Sequence, residues 1–190
     1  MKLYCILGAS GTGKDTILEK LLILRNDLIP IITYTTRPMR YNEKNGKEYY
    51  FVSKQLFEKL KRHNDIIEYR KYNTTHGEWI YFMAKDNQID VSSNKKYIVI
   101  NTIYGVKKLR EIYGKDVVPI HLCLNDRDRI LRCYSRELSG NEDYIEMCRR
   151  FITDAHDYSD LMFDKFNIPN NKIINDDINK CIADIDLLIK

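Results

Sequence analysis

GASGTGKDT, residues 8–16, stands directly behind the apolar run LYCIL at residues 3–7. Gly8, Gly13 and Lys14 keep the G-x-x-x-x-G-K spacing of a phosphate-cradling loop, between an expected strand and an expected amphipathic helix. Glycines let backbone N–H groups approach phosphate oxygens with no Cβ in the way. The helix N-terminus adds partial positive charge and Lys14 adds a full one. On this reading Gly8, Ser10, Gly11, Thr12, Gly13, Lys14 and Thr16 surround the phosphates of a donor nucleotide. The motif usually ends in Ser or Thr, whose hydroxyl meets Mg2+, but here Asp15 holds that position and Thr16 follows. Two roles are open to Asp15: a carboxylate partner for Mg2+, direct or through water, or a negative charge favoured in the first helical turn.

Outward from the loop, periodicity alternates between strand-like and helix-like segments, as expected of an α/β protein with a parallel sheet flanked by helices. Residues 3–7, 97–101 and 118–124 are short and mostly apolar, like central parallel strands. A helix over 14–25 shows Ile17, Leu18, Leu21, Leu22 and Leu24 on a broad apolar face, and a later one carries Val106, Leu109 and Ile112 on one side. Two longer helices are expected over 127–137, with Ile130, Leu131 and Tyr134 on the apolar side, and over 142–158, with Ile145, Cys148, Ile152 and Ala155. A turn signal at 139–141 separates them. A strand over 172–175 and a closing helix with Ile178, Cys181, Ile182, Ile185 and Ile189 complete the chain. Residues 33–83 differ in character: tyrosine-rich and charged, with a short strand at 48–52 and a helix at 54–62, they read as an insertion that closes over the core.

Bulk properties set limits. The 190 residues suit one domain, and 44% hydrophobic with 31% charged residues is ordinary soluble composition. A net charge of +4 without a long basic run favours a local anion site over a nucleic-acid-coating surface. Five cysteines at 5, 123, 133, 148 and 181 form no C-x-x-C pair, and the five-residue N-terminal apolar run is too short for a signal peptide or membrane span. A reducing, cytoplasmic setting is expected.

TYTTRPMRYNEKNGKEYYFVS at 33–53, together with GASGTGKDT and IINDD at 173–177, resembles the guanylate kinase family, which pairs a phosphate loop with TTR-x-P-R-x-G-E-x-x-G-x-x-Y-x-F-V-S. The similarity runs from residue 3 to 190, with gaps mainly near 73–79 and 137–148. The resemblance implies a P-loop NTPase-type core (1–32, 84–125, 159–190), a nucleoside-monophosphate-binding insertion (33–83) and a helical lid (126–158). It also implies ATP and Mg2+ as cofactors and small nucleotides as substrates.

Carried over residue by residue, it implies that Arg37, Arg40 and Tyr49 hold the acceptor phosphate, with Thr33 facing the nucleotide. Two guanidinium forks and a phenol suit a dianionic monophosphate. Glu68 in DIIEY matches the carboxylate that accepts from the N1 and N2 edge of guanine. Lid arginines, Arg136 with Arg149 or Arg150, and Arg132 beside them, would reach the transferring phosphoryl group, where charge develops on equatorial oxygens. Asn175 falls near the donor adenine, and Asp176 beside it suits a helix N-cap.

Two elements depart from the family pattern. G-x-x-Y-G-[ST] appears as THGEW at 75–79, so His76 stands near the missing tyrosine and Glu78 where a base-facing hydroxyl belongs, with Trp79 free to stack on a base or to pack. The D-x-D of the central strand is Ile100-Asn101-Thr102, which puts Thr102 in place of a base-reading aspartate. GMP or dGMP is the expected acceptor. The G-K-D-T loop also suits a ribose 1,5-bisphosphate phosphokinase, and a catalytically inactive protein-binding module of the same fold is a third possibility.

Overall fold

The computed structural model describes residues 1–40, 43–139 and 143–189. Five parallel strands form the main sheet in the order β2-β7-β1-β8-β9, with β1 (Lys2–Leu7) at the centre, flanked by β7 (Lys96–Ile100) and β8 (Val117–Cys123), and with β2 (Leu28–Pro30) and β9 (Lys172–Ile174) at the edges. Strand alternation divides the core. Leu3, Cys5 and Leu7 pack with Val106 and Leu109 of α3 (Ile103–Tyr113) and Met162 and Phe163 of α6 (Asp160–Phe166). Tyr4 and Ile6 face the other way, onto Ile17 and Leu21 of α1 (Lys14–Leu24) and Cys181 and Ile185 of α7 (Ile178–Leu188). This two-sided burial is why the strands lack polar alternation.

A second sheet in the order β4-β3-β6-β5 lies within residues 33–84: β3 (Tyr34–Thr35), β4 (Tyr50–Phe51), and the antiparallel hairpin of β5 (Ile66–Thr74) with β6 (Gly77–Ala84). Helix α2 (Lys54–Arg62) covers one face through Phe57, which joins Ile80, Phe82 and Ala84 in a separate core. Ser53 caps α2 by accepting from Leu56 N–H at 3.2 Å. The opposite face carries Glu68, Arg70 and Tyr72, because side chains two apart on a strand share a side. Neither β2, α6 nor the length of the hairpin was anticipated from periodicity.

Helices α4 (Asp126–Leu138) and α5 (Tyr144–Asp157) correct the sequence reading most. Their apolar residues point outward: Ile145 is 74% and Ile152 73% exposed, and Ile130, Leu131, Tyr134, Cys148 and Ala155 are exposed too. Apart from Cys133, what they bury is charged, Arg129 and Glu137 on α4 and Glu146 and Asp157 on α5. Asp157 pairs with Arg70 of β5, Glu137 and Glu146 pair with Arg150 and Arg149 of α5, and Arg129 pairs with Asp126 and bonds to Ser10 of the phosphate loop, so burial follows the partner and not hydropathy. Leu24 and Ile112, expected on inner faces, are exposed as well. The turn residues Gly140 and Asn141 and the expected helix start at Glu142 lie outside the described residues.

Candidate functional site

The phosphate loop leaves β1 at Leu7 and enters α1 at Lys14. Gly11 and Gly13 have φ of 83° and 89°, a left-handed conformation that suits glycine. Space makes the same demand: a Cβ on Gly11 would lie 2.7 Å from the Arg129 carbonyl oxygen, and one on Gly13 2.6 Å from Asn175 Nδ2. Thr12 closes the loop by donating its hydroxyl to Ala9 O at 2.8 Å. Lys14 lies back across it, donating from Nζ to Gly8 O at 2.7 Å and Ala9 O at 3.0 Å. Burial pushes the Lys14 pKa down, opposed by Asp15 and Asp154. Asp15 and Thr16 are both exposed in the first turn of α1.

Asn175 is buried and donates Nδ2 to Thr12 O at 2.7 Å, so its amide braces the loop itself. Arg132 donates to Asn175 O at 3.4 Å. The cap of α7 is Asp177, which accepts from Asn179 and Lys180 N–H, and not Asp176, whose carboxylate accepts from Asp177 N–H. Ser10 is held by two residues that sequence reasoning missed: its N–H donates to Asp154 Oδ2 at 2.6 Å, and its carbonyl accepts from Arg129 Nε at 3.1 Å. The available signal was spacing. Arg129, Cys133 and Glu137, and likewise Glu146, Arg150 and Asp154, recur every fourth residue and so share one helix face.

Across the cleft, Arg37 is 3% exposed and makes a two-pronged pair with Glu43 at 2.9 and 2.7 Å. Its guanidinium also lies 5.7 Å from the Tyr49 ring centroid and 5.4 Å from that of Phe51. Arg40 donates its backbone N–H to Glu43 Oε2 at 2.8 Å. Burial pushes the Arg40 pKa down, and the charges of Arg37, Arg150 and Arg136 push it the same way. Burial raises the Tyr49 phenol, with Tyr81 and the Asp15 carboxylate contributing, which puts Asp15 within electrostatic reach of Tyr49.

The two alternatives at the end of the lid separate. Arg150 donates to Glu137 Oε1 at 2.9 Å and acts on Arg40, whereas both prongs of Arg149 are taken by Glu146 on its own helix, at 2.7 Å each. Arg136 lies 3.6 Å from Glu137.

On β5, Glu68 is 9% exposed, and burial pushes its carboxyl up to about 7 against the lowering effect of a hydrogen bond from Asn101. Thr33 is nearly buried, its carbonyl accepting from Tyr50 N–H at 2.9 Å. Three expected site residues are committed elsewhere. Thr102 Oγ1 accepts from Gly105 N–H at 3.1 Å as the cap of α3. Glu78 pairs with Lys54 at 2.8 Å and Lys71 at 3.2 Å on the outer face of the hairpin, opposite Asn73 in the ladder. His76 sits at the hairpin tip, 2.6 Å from Asp143 of the lid and stacked on Trp79. Arg70, unanticipated, spans three parts of the molecule: it pairs with Asp157 of α5 at 3.2 Å and lies 3.4 Å over the Tyr104 ring of α3.

The family model for guanylate kinase matches residues 1–190. The chain belongs to the guanylate kinase family. Curated relatives agree: the guanylate kinase of Porphyromonas gingivalis is 26% identical over 97% of this chain and 94% of its own length, and that of Wigglesworthia glossinidia brevipalpis is 30% identical over 93% and 83%. The crystal structure of guanylate kinase from Anaplasma phagocytophilum covers 99% of this chain and 84% of its own, with a TM-score of 0.69 at 21% identity, and shows the fold. This guanylate kinase family member is accordingly a nucleoside monophosphate kinase. Among its described residues no helix is long and apolar enough to cross a membrane, and no group of three or more His, Cys, Asp or Glu side chains could by itself hold a metal ion.

Proposed function

We propose that this kinase transfers the γ-phosphoryl group of ATP to GMP or dGMP. The observation that carries the acceptor is Glu68, a buried carboxylate that shares its face of β5 with Arg70 and Tyr72. An ionised carboxylate only accepts hydrogen bonds, which matches the two N–H donors at N1 and N2 of guanine.

Donor phosphates would lie on residues 8–16, with loop N–H groups and Lys14 as donors. Arg37, Arg40 and Tyr49 would hold the acceptor phosphate, and Arg136 and Arg150 would meet the phosphoryl group between the two nucleotides. The electrostatic influence of Arg37, Arg136 and Arg150 on Arg40 supports an electrostatic mechanism, in which preplaced cations stabilise charge on the transferring group with no covalent intermediate. Asp15 and Thr16, an exposed carboxylate and hydroxyl at the start of α1, are hard oxygen donors of the kind Mg2+ takes alongside phosphates and water. The ion, when bound, neutralises phosphate charge. Residues 33–83 would carry the acceptor and 126–158 would close over it, excluding water and so limiting ATP hydrolysis. The five free thiols suit the cytoplasm.

A coupled ADP-release assay with ATP and Mg2+ against GMP, dGMP, AMP, CMP, UMP, dTMP, IMP and ribose 1,5-bisphosphate tests the reading. Fast turnover confined to guanine nucleotides is expected. A flat response to GMP with activity on another acceptor would mean that the base pocket has been rebuilt.

A further inference from the structure

Glu68 forms no ion pair among the described residues, and the group that holds it comes from a different element. Asn101, the first residue beyond β7, donates Nδ2 to Glu68 Oε1 at 3.1 Å while its own Oδ1 accepts from Thr102 N–H at 2.7 Å. The carboxamide is therefore fixed at both ends, with one outcome for its orientation, since the Thr102 amide can only donate. The space it fills exists because residue 105 is glycine: a Cβ there would overlap the Asn101 side chain. The first turn of α3, capped by Thr102, thus becomes the anchor of a side chain in the acceptor insertion.

We infer that Asn101 is a positioning residue for acceptor recognition, aiming Glu68 so that its carboxylate meets a base edge with two N–H donors. The inference rests on the proposed guanine acceptor. The Asn101 bond uses one lone pair on Oε1 and leaves Oε2 whole, enough for N1–H and N2–H together. An adenine edge presents an acceptor at N1 and would oppose the same carboxylate.

The surroundings explain why one neutral donor matters. Cys5 of β1 senses the Glu68 charge from the core, and Arg70 follows on the same face of β5. Tyr104, Lys107, Lys108 and Glu111 of α3 and Lys61 of α2 line the same cavity of about 520 Å3. Among the described residues only Asn101 donates a hydrogen bond to the carboxylate. Burial favours the protonated acid, and the Asn101 bond favours the anion.

The test uses Asn101→Leu, which keeps the branched shape and removes the donor, and Asn101→Ala, which removes it without bulk should the larger leucine prevent folding. In nucleotide-free enzyme, a carbon-13 NMR titration should show the Glu68 pKa raised in either variant, by roughly one unit for one lost hydrogen bond. For the wild type and both variants, kcat and KM for GMP are then measured between pH 6 and 9. At pH 7 we expect KM to rise about fivefold with kcat nearly unchanged, as the ionised fraction of Glu68 falls, and the gap to narrow toward pH 9, where Glu68 is mostly ionised in all three. A merely structural role would shift stability without a pH-dependent KM. An unmoved Glu68 titration with unmoved KM overturns the inference and leaves the guanine acceptor standing. A wild type inactive on every guanine nucleotide overturns the acceptor and the aim proposed for Glu68, while the NMR titration still decides whether Asn101 governs that carboxyl.

Discussion

Ser10, in the middle of the phosphate loop, donates its backbone N–H to the carboxylate of Asp154 at 2.6 Å. A lid side chain thus rests on an amide that a donor phosphate would claim, and it brings its own negative charge close to Lys14. ATP must displace it. Asp154→Ala should therefore tighten ATP binding about tenfold, the worth of a hydrogen bond to a charged group. Titration calorimetry checks this, and weaker binding by the variant would show that Asp154 assists the donor instead of competing with it.

Lys14→Ala and Arg40→Ala should each lower phosphoryl transfer by roughly two to three orders of magnitude, as expected when a preplaced charge is removed from a transferring group. Circular dichroism and thermal melting should show the fold retained. Near-normal turnover in either variant would remove that residue from the proposed site.

Arg37 and Glu43 form a pair in which the arginine is 3% and the glutamate side chain 14% exposed. Removing one partner leaves a buried charge uncompensated, so Glu43→Ala should destabilise the protein by about 3 kcal/mol. Urea unfolding measures it. A loss below about 1 kcal/mol would mean that solvent reaches the Arg37 guanidinium once Glu43 is gone.

Glu68 has its carboxyl raised from 4.5 to about 7 by burial. Between those two values the folded protein binds a proton that the unfolded chain has released, so this group's contribution is complete below pH 4.5 and is lost as pH rises through 7. The shift corresponds to about 3 kcal/mol. Glu68→Gln should flatten that part of the stability curve, measured by denaturation at fixed pH steps. An unchanged slope would place the proton on another group.

Legibility in the sequence followed the range of the interaction. Gly11, Gly13 and Lys14 were readable because the loop's needs are local: left-handed backbone, absent Cβ, one cation at fixed spacing. Arg37, Arg40 and Glu68 were named through resemblance; in the structure Arg37 and Glu68 are buried, and Arg37, Arg136 and Arg150 all act electrostatically on Arg40. Glu78 pairs with Lys54 and Lys71 because a hairpin's register decides which face each strand residue takes, and register depends on cross-strand pairing that one strand does not encode alone, while His76 lies in the turn beyond the ladder.

Local chemistry, then, determined by sequence alone the phosphate loop, the strands with apolar residues on both faces and the helices that follow them. Tertiary structure alone decided that the outward faces of α4 and α5 are the apolar ones, that Asn175 braces the loop, that Thr102 caps a helix, and that Asn101 reaches Glu68. Each of these joins groups from different elements. A polar side chain takes the partner that desolvation leaves it, and that partner exists only once the elements have packed.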